Sequence, residues 1–395
     1  MVVAVSLGVN IQSVLVLLTA SSGIALIQEK QAVVLDLGTD YTKFGFTGEA
    51  APRCIVRSEF WCPATRRVRR LHDYSSAAEL YDNLVHMLHQ LYFRHVLVNP
   101  KERKVVVVES LLTPTLFRET LAKVLFIHYE VSGVVWADSP RLCALTLGAP
   151  VVLVVSIGAK DVEVAAVVHS CVVLHALQSQ PLGSHAVHAE LARMLDEHNG
   201  GPLHLDDQVI EDIKVKTCFV TSRARALAWE SDSPPRAARD VRYGRVTVPG
   251  RARELAAEPL FRRDHEQSSL PDAVLQCVAA SPRDCRRALA AGILLTGGGA
   301  ALPGLRARLA AELRQLVTQP PYCDTLHVRE FKFHDAPSAA NACAWLGGAV
   351  LGAGEAGAAR AMPRDQFARA PRLRDWVCLL DNTPPGHPHR DHLDI

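Results

Sequence analysis

A strand–turn–strand unit occurs twice in this chain, and that repeat restricts the possible folds more than any other feature of the sequence. The first copy runs from Ala32 to Gly38, ends in Asp36-Leu-Gly38, and continues through Tyr41 to Phe46. The second runs from Val151 to Ile157, turns at Gly158-Ala-Lys-Asp161, and continues from Val162 to His169. Short β-branched runs bounded by glycine and carboxylate read as strands joined by tight turns. A further strand over Cys171 to Leu177 completes an antiparallel meander. Two related units predict two similar lobes with a cleft between them, the usual place for a ligand.

Helices alternate with these strands. Leu80, Leu84, Val85, Leu88, Leu91 and Tyr92 fall at helical spacing between Ser76 and Val98, with Ser75 or Ser76 as N-cap. Lys104 to Glu109 reads as a buried strand, and Thr115 to Tyr129 as a helix with Leu116, Leu121, Val124 and Leu125 on one side. Such alternation predicts an α/β fold. The Arg-scattered stretch Ser231 to Glu258, with Pro234-Pro235 and only Val246-Thr-Val248 as a strand signal, is expected to be an irregular insertion. Ile293 to Thr296, Gly297 to Gly299 and Leu305 to Val317 form strand, glycine turn and helix. The expected organisation is a leader over 1–30, a first lobe over 31–150, a second over 151–320, a return to the first over 321–353, and a tail over 354–395.

Lys plus Arg exceed Asp plus Glu by only two, which argues against a dedicated nucleic-acid binder. None of the ten cysteines forms a Cys-x-x-Cys pair, so a structural zinc site is not expected. Several lie in apolar runs, as Cys143 and Cys171 do, which suits a reducing intracellular compartment. Met1 to Gln28 carries no charge and has an apolar centre at Val14 to Leu18. It lacks a basic start and is broken by polar residues, so an atypical or disordered leader is preferred to a signal peptide, and no membrane insertion is expected. His387, His389 and His392 can hold a metal or simply belong to a solvated terminus; the latter is preferred.

The residues with chemical content sit at the turns. Asp36, Gly38 and Thr39, with Lys43 on the next strand, can surround a phosphate with backbone N–H groups, a hydroxyl and a cation. Gly297, Gly298 and Gly299 permit close backbone approach to a nucleotide, and an ordinary glycine turn explains them equally well.

In this order, these pieces resemble the actin superfamily from about Ala32 to Gly352, with Gly45-Phe-Thr-Gly-Glu49, Pro52-Arg53, the Asp212 to Cys218 segment and Ala344 to Gly348 adding to the match. The resemblance implies a two-lobed fold with a duplicated core and central cleft, and places Lys214 at the adenosine. Leu91 to Pro100, Phe117 to Thr120, Asp212 to Val220 and Asn341 to Gly348 look like the actin-related members at the pointed end of dynactin. That implies the filament's actin-related subunit and the pointed-end proteins as partners, dynein indirectly, and a cytoplasmic, cytoskeletal location.

Departures from the family pattern bear on chemistry. Ser156 stands where the second phosphate turn has its carboxylate, Ser139 where a glutamine positions water, Asp40 for a glycine and Val215 for a glutamate. Phosphoryl transfer needs charge neutralisation and an oriented nucleophile, so no catalytic residue and no metal site are assigned. ATP or ADP is expected as a structural ligand without turnover, the alternative being an empty cleft in which Asp36 and Lys43 pair with each other. Only 19 residues lie between Glu59 and Glu79, too few for the family's second subdomain, and they include Arg66, Arg67, Arg69 and Arg70. The expected function is that of a pointed-end cap. An ATP-dependent enzyme or chaperone-type ATPase of the same fold, or a nuclear chromatin-remodelling relative, are the alternatives.

Overall fold

The computed structural model describes residues 31–63, 65–101, 103–263 and 268–373. The leader over 1–30 and the three terminal histidines lie outside the described residues.

From the amino end, β1 (Val33–Leu37), β2 (Tyr41–Phe46) and β3 (Cys54–Arg57) form an antiparallel ribbon, and β4 (Glu59–Cys62) with β5 (Arg67–Arg70) a separate hairpin. β6 (Lys104–Glu109) lies parallel to β1, and β7 (Gly133–Asp138) parallel to β6. The second sheet holds β8 (Val151–Ile157), β9 (Val162–Val168), β10 (Cys171–Val172) and β11 (Gln178–Gln180). After the hairpin β12 (Val241–Tyr243) and β13 (Val246–Val248), β14 (Ile293–Thr296) completes it, parallel to β8. The duplication is now a geometric one. β1 is flanked by antiparallel β2 and parallel β6, and β8 by antiparallel β9 and parallel β14.

The helix Ala77–Gln90 begins as its sequence dictates. Ser76 accepts from the Glu79 N–H at 3.2 Å while the Glu79 carboxylate reaches back to the Ser75 N–H at 2.7 Å, a capping-box exchange displaced by one residue. It buries Leu80, Leu84 and Leu88 and continues as a π-helical turn, Leu91–Val96. The second first-lobe helix, Thr115–Lys123, extends in the same way through Val124–His128; it buries Leu121, Val124 and Leu125 but leaves Leu116 exposed.

Two expectations change in detail. The strand over Cys171 to Leu177 is split into β10, a 3-10 turn at Leu174–Ala176 and then β11, because the chain dips to bury Ala176 before rejoining β9. Within 231–258 the structure holds the β12–β13 hairpin and the helix Gly250–Leu255. The organiser is Glu254, whose buried carboxylate accepts from Arg225 Nε at 2.5 Å, Ala238 N–H at 2.6 Å and Trp229 Nε1 at 3.1 Å.

Each lobe has its own apolar core. They are joined by the helices Ser139–Leu147 and Cys343–Ala353. Leu142, Trp345 and Ala349 pack on Val34 and Val106 of the first sheet, and Cys143, Ala144 and Cys343 on Val152, Val154 and Leu294 of the second. A Cβ on Gly347 would stand 2.2 Å from the Leu142 carbonyl oxygen, so glycine there lets the two backbones touch. From Gly354 the chain forms the helix Glu355–Arg360, a two-residue strand at Met362–Pro363 on the edge of β7, and a final helix whose Phe367 stacks on Phe126 at 4.6 Å.

A candidate nucleotide cleft bridged by side chains

The β1–β2 pairing fixes the first turn. Asp36 lies opposite Lys43 in register, which puts both side chains on one face, and Lys43 Nζ donates to Asp36 Oδ2 at 2.9 Å. A Cβ on Gly38 would meet the Tyr41 carbonyl at 2.6 Å, so the turn needs glycine. The Gly38 carbonyl accepts from Ser58 Oγ at 2.6 Å and lies 3.2 Å from His72 Nε2, whose pKa burial lowers. Thr39 makes no hydrogen bond among the described residues. The Asp40 carboxylate meets His185 Nε2 at 2.9 and 3.0 Å.

The second turn is closed by a helix start. The carbonyls of Gly158, Ala159 and Lys160 accept from the N–H groups of Ser184, His185 and Gly183 at 2.8–2.9 Å. Against this turn lie the three glycines. Gly297 has φ +87°, and a Cβ there would stand 2.3 Å from the Ile157 carbonyl oxygen; a Cβ on Gly299 would stand 2.3 Å from the Ile157 side chain. Both are therefore required by packing. Only Gly298 faces open space, with nothing within 4 Å of a built Cβ.

Lys214 comes from the helix Asp207–Thr217, is buried, and lies 2.7 Å from His188 Nε2. Because His185 and His188 are three apart on one helix, contacts run from Asp40 through His185 and His188 to Lys214, with the two imidazoles 6.1 Å apart. The lobes meet at three further places. Glu211 accepts from Tyr41 Oη at 2.8 Å and Arg57 Nη2 at 2.7 Å, Arg70 pairs with Asp207 at 2.5 Å, and Ser110 donates to Glu163. The sequence does not reveal these pairings, though Glu211 lies three residues before Lys214 and so on the same helix face.

Of the positions that depart from the family pattern, Ser139 and Val215 take no part in these contacts. Ser139 opens a helix N-capped by buried Asp138, whose carboxylate accepts from the Arg141 N–H and guanidinium. Val215 is 68% exposed and faces solvent. A nucleotide can be tested against what remains. Gly298 faces open space and Lys214, expected at the adenosine, is held by His188, while at the phosphate turn Lys43 is held by Asp36 and Asp40 adds an anion that phosphates would repel. The residues fit the polyphosphate poorly, and no reaction step is routed through it. Among the described residues no cluster of metal-ligating side chains is present, and no helix is long and apolar enough to cross a membrane.

Two α/β lobes built on the same strand pattern, joined by two crossing helices and facing each other over paired turns, define the actin-like class of folds. The family described as Actin matches residues 76–205 and 202–367, and the chain belongs to the actin family. Actin-related protein 10 of Dictyostelium discoideum is 23% identical over 400 residues, covering 82% of each chain. Actin-related protein 2 of Arabidopsis thaliana is 25% identical over 362 residues, covering 82% of this chain and 91% of its own. Actin-related protein 2 of Oryza sativa subsp. indica is 25% identical over 355 residues, covering 81% and 90%.

Proposed function

We propose that this chain is a non-catalytic actin-related subunit that caps the pointed end of the actin-like filament of dynactin and thereby supports dynein-driven movement on microtubules in the cytoplasm. The observation that carries the reading is the β4–β5 hairpin. Where an actin-like subunit needs a subdomain to receive its neighbour, residues 59–76 hold only two four-residue strands and a link to the next helix. Likeness to a protein named actin-related protein 10 supports the same choice within the family. The cleft supports the non-catalytic part, because the groups facing it pair with one another and Ser156 replaces the carboxylate. The poor fit to a polyphosphate favours the alternative to a bound ATP or ADP, a cleft in which Asp36 and Lys43 pair with each other.

The partners under this reading are the filament's actin-related subunit and the small pointed-end proteins, with dynein reached through them. Affinity purification of the tagged full-length chain from cell extract, followed by mass spectrometry, is the test. Recovery of dynactin subunits in fixed proportion is expected. Recovery of chromatin-remodelling subunits instead, or of no stable partner, overturns the proposal.

A further inference from the structure

Two of the ten cysteines meet where the lobes are joined. Cys143 lies within the helix Ser139–Leu147 and Cys343 opens the helix Cys343–Ala353, the two elements that link one lobe to the other. Both are fully buried, in one cluster with Val152, Val154 and Leu294. Thr146 Oγ1 donates to the Cys143 carbonyl at 2.7 Å and lies 3.4 Å from Cys343 Sγ. Cys143 Sγ lies 3.9 Å from Thr296 Oγ1, which donates to the Ala340 carbonyl at 2.8 Å, in the turn that leads into Cys343. The two sulfurs are thus enclosed by the same pair of threonines, and they hydrogen-bond each other.

Cysteines that only fill space behave as small hydrophobes. This pair is polarised instead. The shared hydrogen bond, then burial, holds the Cys143 thiol well above its ordinary pKa. The same bond, helped by Thr146 and opposed by burial, lowers the pKa of Cys343. One sulfur is prepared as a nucleophile and the other as the proton-bearing thiol that resolves it. The pair also lies close to the cleft, since Thr296 directly precedes the glycine turn and the charge of Asp36 is felt at Cys143. The helices approach closely as a bridge requires, with Leu142, beside Cys143, in backbone contact with Gly347, one turn beyond Cys343.

We propose that Cys143 and Cys343 are a redox-modification site, at which a hydroperoxide forms a disulfide that clips the two lobe-joining helices together. With hydrogen peroxide, the Cys343 thiolate attacks one oxygen, the O–O bond breaks, and a sulfenic acid and hydroxide result. The Cys143 sulfur then attacks the Cys343 sulfur, and the sulfenic hydroxyl leaves as water with the Cys143 proton. Two thiols and one peroxide become one disulfide and two waters. The clip fixes the angle between the lobes, and reduction by a dithiol releases it. No part of this depends on the capping reading.

The test exposes the reduced, natively folded full-length chain to hydrogen peroxide, blocks the remaining thiols with N-ethylmaleimide, and maps unreduced peptides by mass spectrometry. A Cys143–Cys343 peptide pair is expected as the dominant link among the ten cysteines, and dithiothreitol should reverse it. Amide hydrogen exchange in the helices Ser139–Leu147 and Cys343–Ala353 should be at least about tenfold slower in the linked form than in the reduced one. Cys143→Ser should leave Cys343 as a sulfenic acid that dimedone traps, and Cys343→Ser should leave Cys143 as a free thiol. Peroxide that oxidises the exposed Cys171 while both thiols stay reduced overturns the proposal. So do links that form without preference for this pair, or a linked form whose helices exchange as fast as before.

Discussion

His188 and Lys214 meet at 2.7 Å in a buried position where two cations cannot both be tolerated. Burial, then the charge of Lys214 and His185, lowers the His188 pKa from 6.5 to about 4, opposed by Asp40 and Asp207; burial lowers that of Lys214 too. A folded-state pKa below the unfolded one stabilises the protein fully above pH 6.5, and that stability is lost as pH falls toward 4. Thermal melting across this window should therefore show a fall that His188→Gln reduces by about 2 kcal/mol, since an amide accepts the Lys214 proton without titrating. Equal pH dependence in both proteins would count against the pairing. At the glycine turn, Gly297→Ala should destabilise by more than about 2 kcal/mol through its positive φ and the Ile157 contact, and Gly298→Ala by no more than about 0.5 kcal/mol. A reversed order would refute the packing account. Asp36, Lys43 and the three glycines stand out in sequence because turn chemistry is local. The Asp40 to His185 contact is not legible there, since it spans 145 residues.

Across the cleft, the element of most consequence is the Asp207–Thr217 helix, which meets the first lobe through Glu211 and Asp207. The Glu211 carboxylate and burial keep the Tyr41 phenol protonated, its pKa raised to about 12 chiefly by burial, so Tyr41 remains a donor throughout the physiological range. Glu211→Gln would retain the shape but lose the charge that Arg57 faces. It should cost about 1–2 kcal/mol and raise amide hydrogen exchange in β2 and in the Asp207–Thr217 helix together. Unchanged exchange in both elements would mean that the contact does not hold the lobes. Element boundaries were legible where periodicity was strong, as in Ala77–Gln90. They were obscured where one buried group organises irregular chain, as Glu254 does for 231–258 and Ala176 does between β10 and β11.

For the whole molecule, the property on which the proposed capping function turns is that its two ends offer unlike surfaces. Heterologous assembly propagates only when every subunit presents both complementary faces; with one missing, growth stops at that subunit. The β4–β5 hairpin is too small to replace the receiving subdomain, and its Arg70–Asp207 pair ties it to the second lobe instead of leaving it to reach outward. On the proposed capping function turnover does not drive this behaviour, and the purified chain is expected to hydrolyse ATP no faster than a buffer control. Hydrolysis at the rate of an active actin-fold enzyme would remove the non-catalytic reading. Capping is a steric argument and has its own measure. The protein alone should form no filaments at any concentration that supports actin assembly, and on preformed actin-like filaments it should saturate at one copy per filament whatever their length. Counting labelled copies in electron micrographs of short and long filaments separates the cases. A number that grows with length means binding along the sides, and filaments grown from the protein alone mean that the shortened subdomain still receives a neighbour; either result overturns the mechanism.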